Sequence, residues 1–295
     1  MTPSTLIGVD WISEHVLSVW ATLLVVALVR ADVAWQCSQR RRKRQAKVTG
    51  ILRPAAAVAV TVAALAIATA VAIEVRAEAA LTVFDTALAS ALRDNLPRTE
   101  LHLVALLSQS GNGPLLGTVA ACVLVTLLWR RHWQLAVAWC VALVGSVAIN
   151  SLLKGWFQRE RPFRDHGFIV ATGYSFPSGH ALGSMVFFSM LAYVVVMLAP
   201  PRFHRASIMA AVTMISLIGM SRVLLQVHYL SDVIAGYAIG LAWATLCMGT
   251  SDYVRMRRSG RLPESIPQRV HAGLLRCPAI EVDKSPRRSC RVRPQ

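Results

Sequence analysis

Seven stretches of this chain are long and apolar enough to cross a lipid bilayer, and no other feature constrains the fold as much. A crossing helix needs about 20 predominantly apolar residues. Such runs occupy residues 16–35, 55–73, 113–129, 134–153, 180–199, 206–226 and 231–250. The first is the weakest, because Arg30 and Asp32 interrupt it near its end. Uncharged chain precedes the third from residue 101, but Ser110-Gly111-Asn112-Gly113-Pro114 reads as a break. Composition agrees. The 295 residues are 55% hydrophobic and only 16% charged, with a mean hydropathy of +0.50. A soluble domain carries about 25% charged residues. Too little polar surface remains to cover a water-soluble globule, which excludes a soluble two-domain enzyme, a disordered chain, a secreted disulfide scaffold and a fibrous repeat. The six cysteines form no CxxC pair, so neither a disulfide framework nor a zinc site is indicated. The expected fold class is all-α, a polytopic transmembrane helical bundle.

The net charge of +16 would point to nucleic acid in a soluble protein. Its distribution points elsewhere. Residues 36–54 hold seven basic residues and no acid, and residues 251–295 hold 11 basic against 4 acidic, so 14 of the 16 charges lie in one loop and one tail. Juxtamembrane basic segments look like this, and no nucleic-acid partner is expected. With seven spans, the loop 36–54, Arg130-Arg131, Arg202 with Arg205 and the tail fall on one side, which the Lys/Arg bias makes cytoplasmic. The N-terminus is then outside, in keeping with Asp10 and Glu14 and no early Lys or Arg. If the first segment does not span, the N-terminus becomes cytoplasmic while the later outer loops stay outside. Residues 80–92 carry apolar residues at helical spacing and are expected to lie along the interface. The tail past 251 is rich in Arg, Pro and Ser and is expected to lack a packed core. The outer loop 154–179 is basic against the topology rule, and so demands a reason of its own.

Three clusters at the outer ends of the last four segments supply it. Lys154 is followed after six residues by Arg161-Pro162; then comes Ser175-Phe176-Pro177-Ser178-Gly179-His180; then Ser221-Arg222, five residues, His228, three residues and Asp232. Ionisable groups near membrane depth are costly and are functional candidates by default. Three cations, Lys154, Arg161 and Arg222, suit the three non-bridging oxygens of a phosphate. Ser178 and Gly179 open an apolar run that should be helical, and N–H groups at a helix start bind anions. His228 and Asp232 are spaced i, i+4, which on a helix puts both on one face. The carboxylate can then hold one imidazole nitrogen and leave the other as a nucleophile. His180 is placed to act as general acid for a leaving oxygen. No Asp/Glu cluster of the kind that holds Mg²⁺ accompanies them, so a mechanism without metal or other cofactor is expected. Arg159, Arg164, Asp165 and His166 share the first loop, where shaping substrate access and plain solvation are equally good readings.

Each cluster alone is modest: Pro-Ser-Gly-His commonly just starts a helix, and an i, i+4 His–Asp pair is commonly a local contact. Together, in order and on one membrane side, they resemble the type 2 phosphatidic acid phosphatase (PAP2) superfamily. The gap 181–220 leaves room for one segment in and one back, which the hydropathy independently shows. The resemblance covers roughly residues 55–250 and implies a six-helix core, to which the segment at 16–35 adds an extra N-terminal helix. It divides the chain into an N-terminal membrane segment with a basic cytoplasmic loop (1–54), a catalytic transmembrane domain (55–250) and a basic cytoplasmic tail (251–295). It implies phosphate binding by Lys154, Arg161, Arg222, Ser178 and Gly179, nucleophilic attack by His228 held by Asp232, and leaving-group protonation by His180.

The expected function is a membrane phosphatase that hydrolyses a lipid phosphate or diphosphate through a phosphohistidine at the outer face, most simply in a bacterial inner membrane. Its partners are the lipid substrate and the bilayer. Three rivals stand beside it: a phosphotransferase using the same intermediate, a vanadate-dependent haloperoxidase with the same constellation, and a non-catalytic lipid-phosphate transporter or binding protein. Phosphatidate, phosphatidylglycerol phosphate, a lipid A phosphate and undecaprenyl diphosphate present the same reacting group, and no segment carries a readable code for one of them.

Overall fold

The computed structural model describes residues 3–44, 54–162 and 172–258. Among these the chain is helical throughout, in ten α-helices: α1 Pro3–Glu14, α2 Val16–Arg44, α3 Pro54–Arg76, α4 Ala80–Asn95, α5 Arg98–Gln109, α6 Gly113–Trp129, α7 Trp133–Phe157, α8 Gly179–Leu198, α9 His204–Leu224 and α10 Leu230–Arg258. A single 3-10 turn, Pro201–Phe203, leads into α9. Among the described residues seven stretches are long and apolar enough to cross a membrane, and each overlaps one of the seven expected segments, although the fifth stops at Leu198 and the sixth at Leu224, short of the expected ends at 199 and 226. The third runs through Leu101–Trp129 and joins α5 to α6 across the Ser110–Asn112 break. The expected interfacial helix is α4, and α1 packs against it; Asn95 Nδ2 donates to Ser13 Oγ at 2.7 Å. The last helix continues eight residues beyond 250, to Arg258. The tail from 259 on, and loop residues 45–53, lie outside the described residues.

Side-chain size is sorted in the way lipid solvent imposes. Large apolar residues such as Val62, Val144, Val147 and Leu152 face outward, while Ala64, Ala142, Ala181, Ala235 and Ala244 face the interior. Lipid rewards no hydrophobic burial, so helices associate through close packing of small residues. A close approach of backbone to backbone joins α10 to α8. A Cβ on Gly236 would sit 2.7 Å from the Ser178 carbonyl oxygen, and one on Gly240 would sit 2.9 Å from that of Leu182. These two glycines, one turn apart, let the start of α10 lie against the start of α8. Gly236→Val is therefore expected to lower stability by roughly 1–3 kcal/mol through overpacking and to cut activity with it, read as a lower unfolding midpoint in detergent.

Helix α10 also packs along α3, α8 lies between α9 and α7, and α2 sits against α9. Trp139, Leu182, Val186, Met190 and Ala244 form the principal core. Alternation of direction brings the C-termini of α7 and α9 to the same end of the bundle as the N-termini of α8 and α10. The opposite end carries Arg130, Arg131, Arg202, Arg205 and the arginines that close α10. The four cysteines among the described residues carry free thiols.

Candidate active site

The three sequence clusters meet at the first of these ends. Lys154 lies in the last turn of α7 and Arg222 in the last turn of α9. Ser178 is the N-cap of α8, its Oγ accepting from the Ala181 N–H at 3.5 Å. Its own backbone N–H donates to the Asp232 carbonyl at 3.0 Å, so the phosphate-binding candidates of α8 are tied directly to α10. The N–H groups of Gly179 and His180, in the first turn of α8, have no helical acceptor behind them.

His228 departs from expectation. It lies in the turn before α10, not on the helix with Asp232. The cause is local. Asp232, at the third helical position, accepts from the Tyr229 N–H at 3.0 Å, the reach-back half of a capping box, and this stops the helix at Leu230. The preceding Gln226 adopts a left-handed conformation (φ 52°), which breaks the path from α9. The Nδ1 of His228 is 3.6 Å from Asp232 Oδ2, beyond a hydrogen bond. Ser175 fills the gap: its Oγ is 3.3 Å from His228 Nδ1 and donates a short hydrogen bond to Asp232 Oδ2. The carboxylate therefore holds the imidazole through a serine as well as by proximity.

The other ring nitrogen identifies itself. Arg161 Nη1 lies 3.1 Å from His228 Nε2, and a guanidinium can only donate. So Nε2 bears the lone pair and Nδ1 the proton, the tautomer a nucleophilic Nε2 requires. Burial pushes the His228 imidazole down to about 4, with Arg161 and Arg222 pushing the same way, so the ring is neutral at pH 7. Arg161 itself is well anchored, donating to the carbonyls of Val227 at 2.7 Å, Gly173 at 2.9 Å and Thr172 at 3.1 Å. A ligand phosphate would exchange for some of these bonds.

Among the side-chain atoms at this end that are buried without a hydrogen-bond partner are Arg222 Nε and His180 Nε2. Arg222 is otherwise held by Ser108, to which Nη1 donates at 2.7 Å. Such orphaned groups are rare in folded proteins and call for an explanation. Lys154 Nζ donates to the Tyr174 carbonyl at 2.9 Å and keeps two further protons to offer. Arg222, His228, Lys154 and Arg161 all lie within electrostatic reach of His180, at the same end of the bundle.

Two residues at this site have a part that the sequence did not assign them. Arg159, read there as equally well a solvated loop residue, is 10% exposed and ion-paired to two carboxylates, Asp232 at 2.7 Å and Asp85 at 2.9 Å. Asp85 reaches in from α4 and is fully buried. It accepts from the Ser231 N–H at 3.1 Å and takes a short hydrogen bond from the Ser231 hydroxyl. Burial raises the affinity of Asp85 for a proton, and its donors oppose that. The guanidinium of Arg159 also stacks 4.2 Å from the Tyr229 ring centroid. Arg164, Asp165 and His166 lie outside the described residues. Among the described residues no three His, Cys, Asp or Glu side chains converge as metal ligands.

Residues 135–256 match the family model of the PAP2 superfamily. This stretch runs from α7 to α10 and contains all three clusters, and over it the chain is similar to that superfamily. Among its relatives is phosphatidylglycerophosphatase B of Bacillus subtilis (strain 168), 32% identical over 113 residues, covering 37% of this chain and 55% of the relative. A lipid A 1-phosphatase of Rhizobium johnstonii is 39% identical over 113 residues, covering 35% of this chain and 42% of the relative. The chain thus spans about half the length of the curated relatives it matches. The fold is also that of a transmembrane PAP2-type phosphatidylglycerolphosphate phosphatase from Bacillus subtilis, whose crystal structure aligns with a TM-score of 0.58 at 23% identity, covering 67% of this chain and 96% of that one. Asp85 lies outside the family match.

Proposed function

We propose that this protein is a lipid phosphate phosphatase that works through a phosphohistidine on His228. The observation that carries the proposal is the pairing of an unprotonated, buried Nε2 on His228 with two orphaned buried groups, Arg222 Nε and His180 Nε2, at the same end of the bundle. The charges fit the ligand. Four cations (Lys154, Arg159, Arg161, Arg222) against two carboxylates (Asp85, Asp232) leave two positive charges, matching a phosphomonoester that carries close to two negative ones at neutral pH.

In this reading Lys154, Arg161, Arg222, the Ser178 hydroxyl and the Gly179 N–H hold the phosphate oxygens. His228 Nε2 attacks phosphorus while His180 gives a proton to the departing oxygen. The Nδ1 proton stays on the ring, shared with Ser175 and through it with Asp232. Water, deprotonated by His180, then attacks the phosphohistidine; the P–N bond breaks and inorganic phosphate leaves. An alcohol in place of water would make the same site a phosphotransferase.

A lipid substrate is favoured by what adjoins the site. A cavity of about 640 Å³ opens between α3, α7 and α10, lined by Leu65, Ala72, Ile73, Leu153, Phe157 and Phe176. Leu153 precedes Lys154, and Phe176 lies between Ser175 and Pro177, so an acyl chain in this groove would present its headgroup to the cations. The basic turns at the opposite end of the bundle support a site on the outer face of the membrane, by the positive-inside rule. The relatives' names make phosphatidylglycerol phosphate and a lipid A phosphate the first substrates to try.

The test is phosphate release by the purified protein in detergent from phosphatidylglycerol phosphate, phosphatidate, a lipid A phosphate and undecaprenyl diphosphate. Turnover of at least one is expected, persisting in EDTA and blocked by vanadate. Tight binding of all four without turnover would replace the reading with a non-catalytic one. Bromide peroxidation in the presence of vanadate would favour a haloperoxidase.

A further inference from the structure

The catalytic reading leaves unexplained why a second buried carboxylate, from a helix outside the family match, is joined to the first through one arginine. Asp85 and Asp232 are both fully buried, and Arg159 spans them with separate nitrogens, Nη2 to Asp85 and Nη1 to Asp232. Nη1 also donates to Ser231 Oγ at 2.8 Å, and the Arg159 carbonyl accepts from the Ser175 N–H at 2.8 Å. Arg159 therefore fixes both partners of the His228 ring, Asp232 by its side chain and Ser175 by its backbone.

Electrostatics gives this arrangement a purpose. A carboxylate beside an imidazole favours the imidazolium, and an imidazolium has no lone pair with which to attack. A cation on the far oxygen of that carboxylate weakens the pull. Resting on the proposed phosphohistidine chemistry, we propose that Arg159 is a positioning residue: held in place by Asp85, it sets how strongly Asp232 draws a proton onto His228, and so sets the acid limit of catalysis. Lysine could not substitute, since a point charge cannot bridge two carboxylates in a fixed plane.

The groups facing His228 come from every element around it. Arg161 and Arg159 approach from the α7–α8 connection, with Glu160 between them exposed to solvent. Lys154 comes from α7, His180 from α8 and Arg222 from α9. Tyr229 adjoins it, Asp232 comes from α10, and Asp85 stands behind Arg159 from α4. Among these only Arg159 and Asp85 are kept from the phosphate space by partners of opposite sign on the far side of Asp232. Their removal therefore changes the field at His228 without removing a ligand to phosphate.

The signs are opposite for the two residues, and this makes the test specific. R159Q removes a positive charge, favours the imidazolium and moves the acid limb of kcat/KM to higher pH. D85N removes a negative charge, leaves Arg159 less compensated and moves the limb to lower pH. Each shift is expected to reach about half a pH unit or more. The double variant D85N/R159Q loses one charge of each sign and returns toward the wild-type profile. The experiment measures phosphate release against pH for the full chain in detergent, using whichever of the four lipid phosphates the wild type turns over fastest, with unfolding midpoints recorded alongside. A purely structural bridge would lower activity at all pH values and leave the limb in place; that result, or shifts of the same sign in both variants, overturns the proposal. If R159Q does not yield folded protein, D85N decides alone, because its limb must move down. A wild type that releases no phosphate overturns the functional reading and this one with it, whereas an active wild type with unmoved limbs overturns only this one.

Discussion

His228→Ala is expected to lower phosphate release by about 10³-fold or more, because the proposed route has no other nucleophile and the remaining groups act only in concert with it. The residue occupies a turn whose backbone is held independently: its N–H donates to the Arg222 carbonyl at 3.2 Å, as does that of Val227. The variant should therefore fold, and a normal unfolding midpoint with lost turnover is the expected pair of results. Rapid quenching of the wild type in alkali should trap an acid-labile phosphoryl group that the variant lacks. A folded His228→Ala protein with wild-type turnover would remove the covalent intermediate from the scheme.

Asp232→Ala is expected to cost both activity and stability. The carboxylate accepts from Arg159, Ser175 and the Tyr229 N–H, and every one of these donors is at least partly buried. Breaking a buried ion pair from one side costs about 3–5 kcal/mol, because the other charge is left uncompensated. Here Asp85 still holds one arm of Arg159, so the loss should fall toward the lower end of that range. Denaturant midpoints in detergent read the stability, and phosphate release reads the chemistry. Asp232→Asn keeps the shape and one acceptor oxygen, and should recover much of the stability while recovering little of the rate. Equal recovery of both would mean that Asp232 only braces the start of α10.

Much of this was legible in the chain because its periodicities are coarse. Apolar runs of bilayer length fix where helices lie, and reversal at each turn fixes which ends meet. From that, Lys154, His180, Arg222 and Asp232 had to gather at one end. The finer geometry was not legible. The capping contact of Asp232 with Tyr229, which moves His228 off the helix, depends on a side-chain rotamer that spacing does not encode. Ser175 was visible within its cluster, but a hydroxyl beside a Pro-Ser-Gly turn gives no sign that it will stand between a histidine and a carboxylate. Arg159 reads like any loop cation, being two residues from Arg161. Asp85 sits in an amphipathic stretch that reads as an interfacial helix, and spacing gives it no partner. Its significance depends on α4 packing back against α10, a contact across well over a hundred residues of chain. One signal was available: an acid on the otherwise apolar 80–92 stretch, where an unpaired charge would be costly.

The glycine seam between α8 and α10 has a wider consequence. It places the peptide that caps α8 in hydrogen-bonding contact with the Asp232 carbonyl, so the proposed phosphate-binding half and the proposed nucleophile-holding half are joined directly. The groove that would receive a lipid tail is lined mostly by the flanks of α3 and α7, with Phe176 and Ile239 completing it. Reactivity and recognition are thereby assigned to separate parts of the molecule. Residues on the tail-facing flanks can be exchanged to accept a longer, shorter or branched lipid while the reacting atoms keep their spacing, which gives an engineer a place to change preference without rebuilding the chemistry.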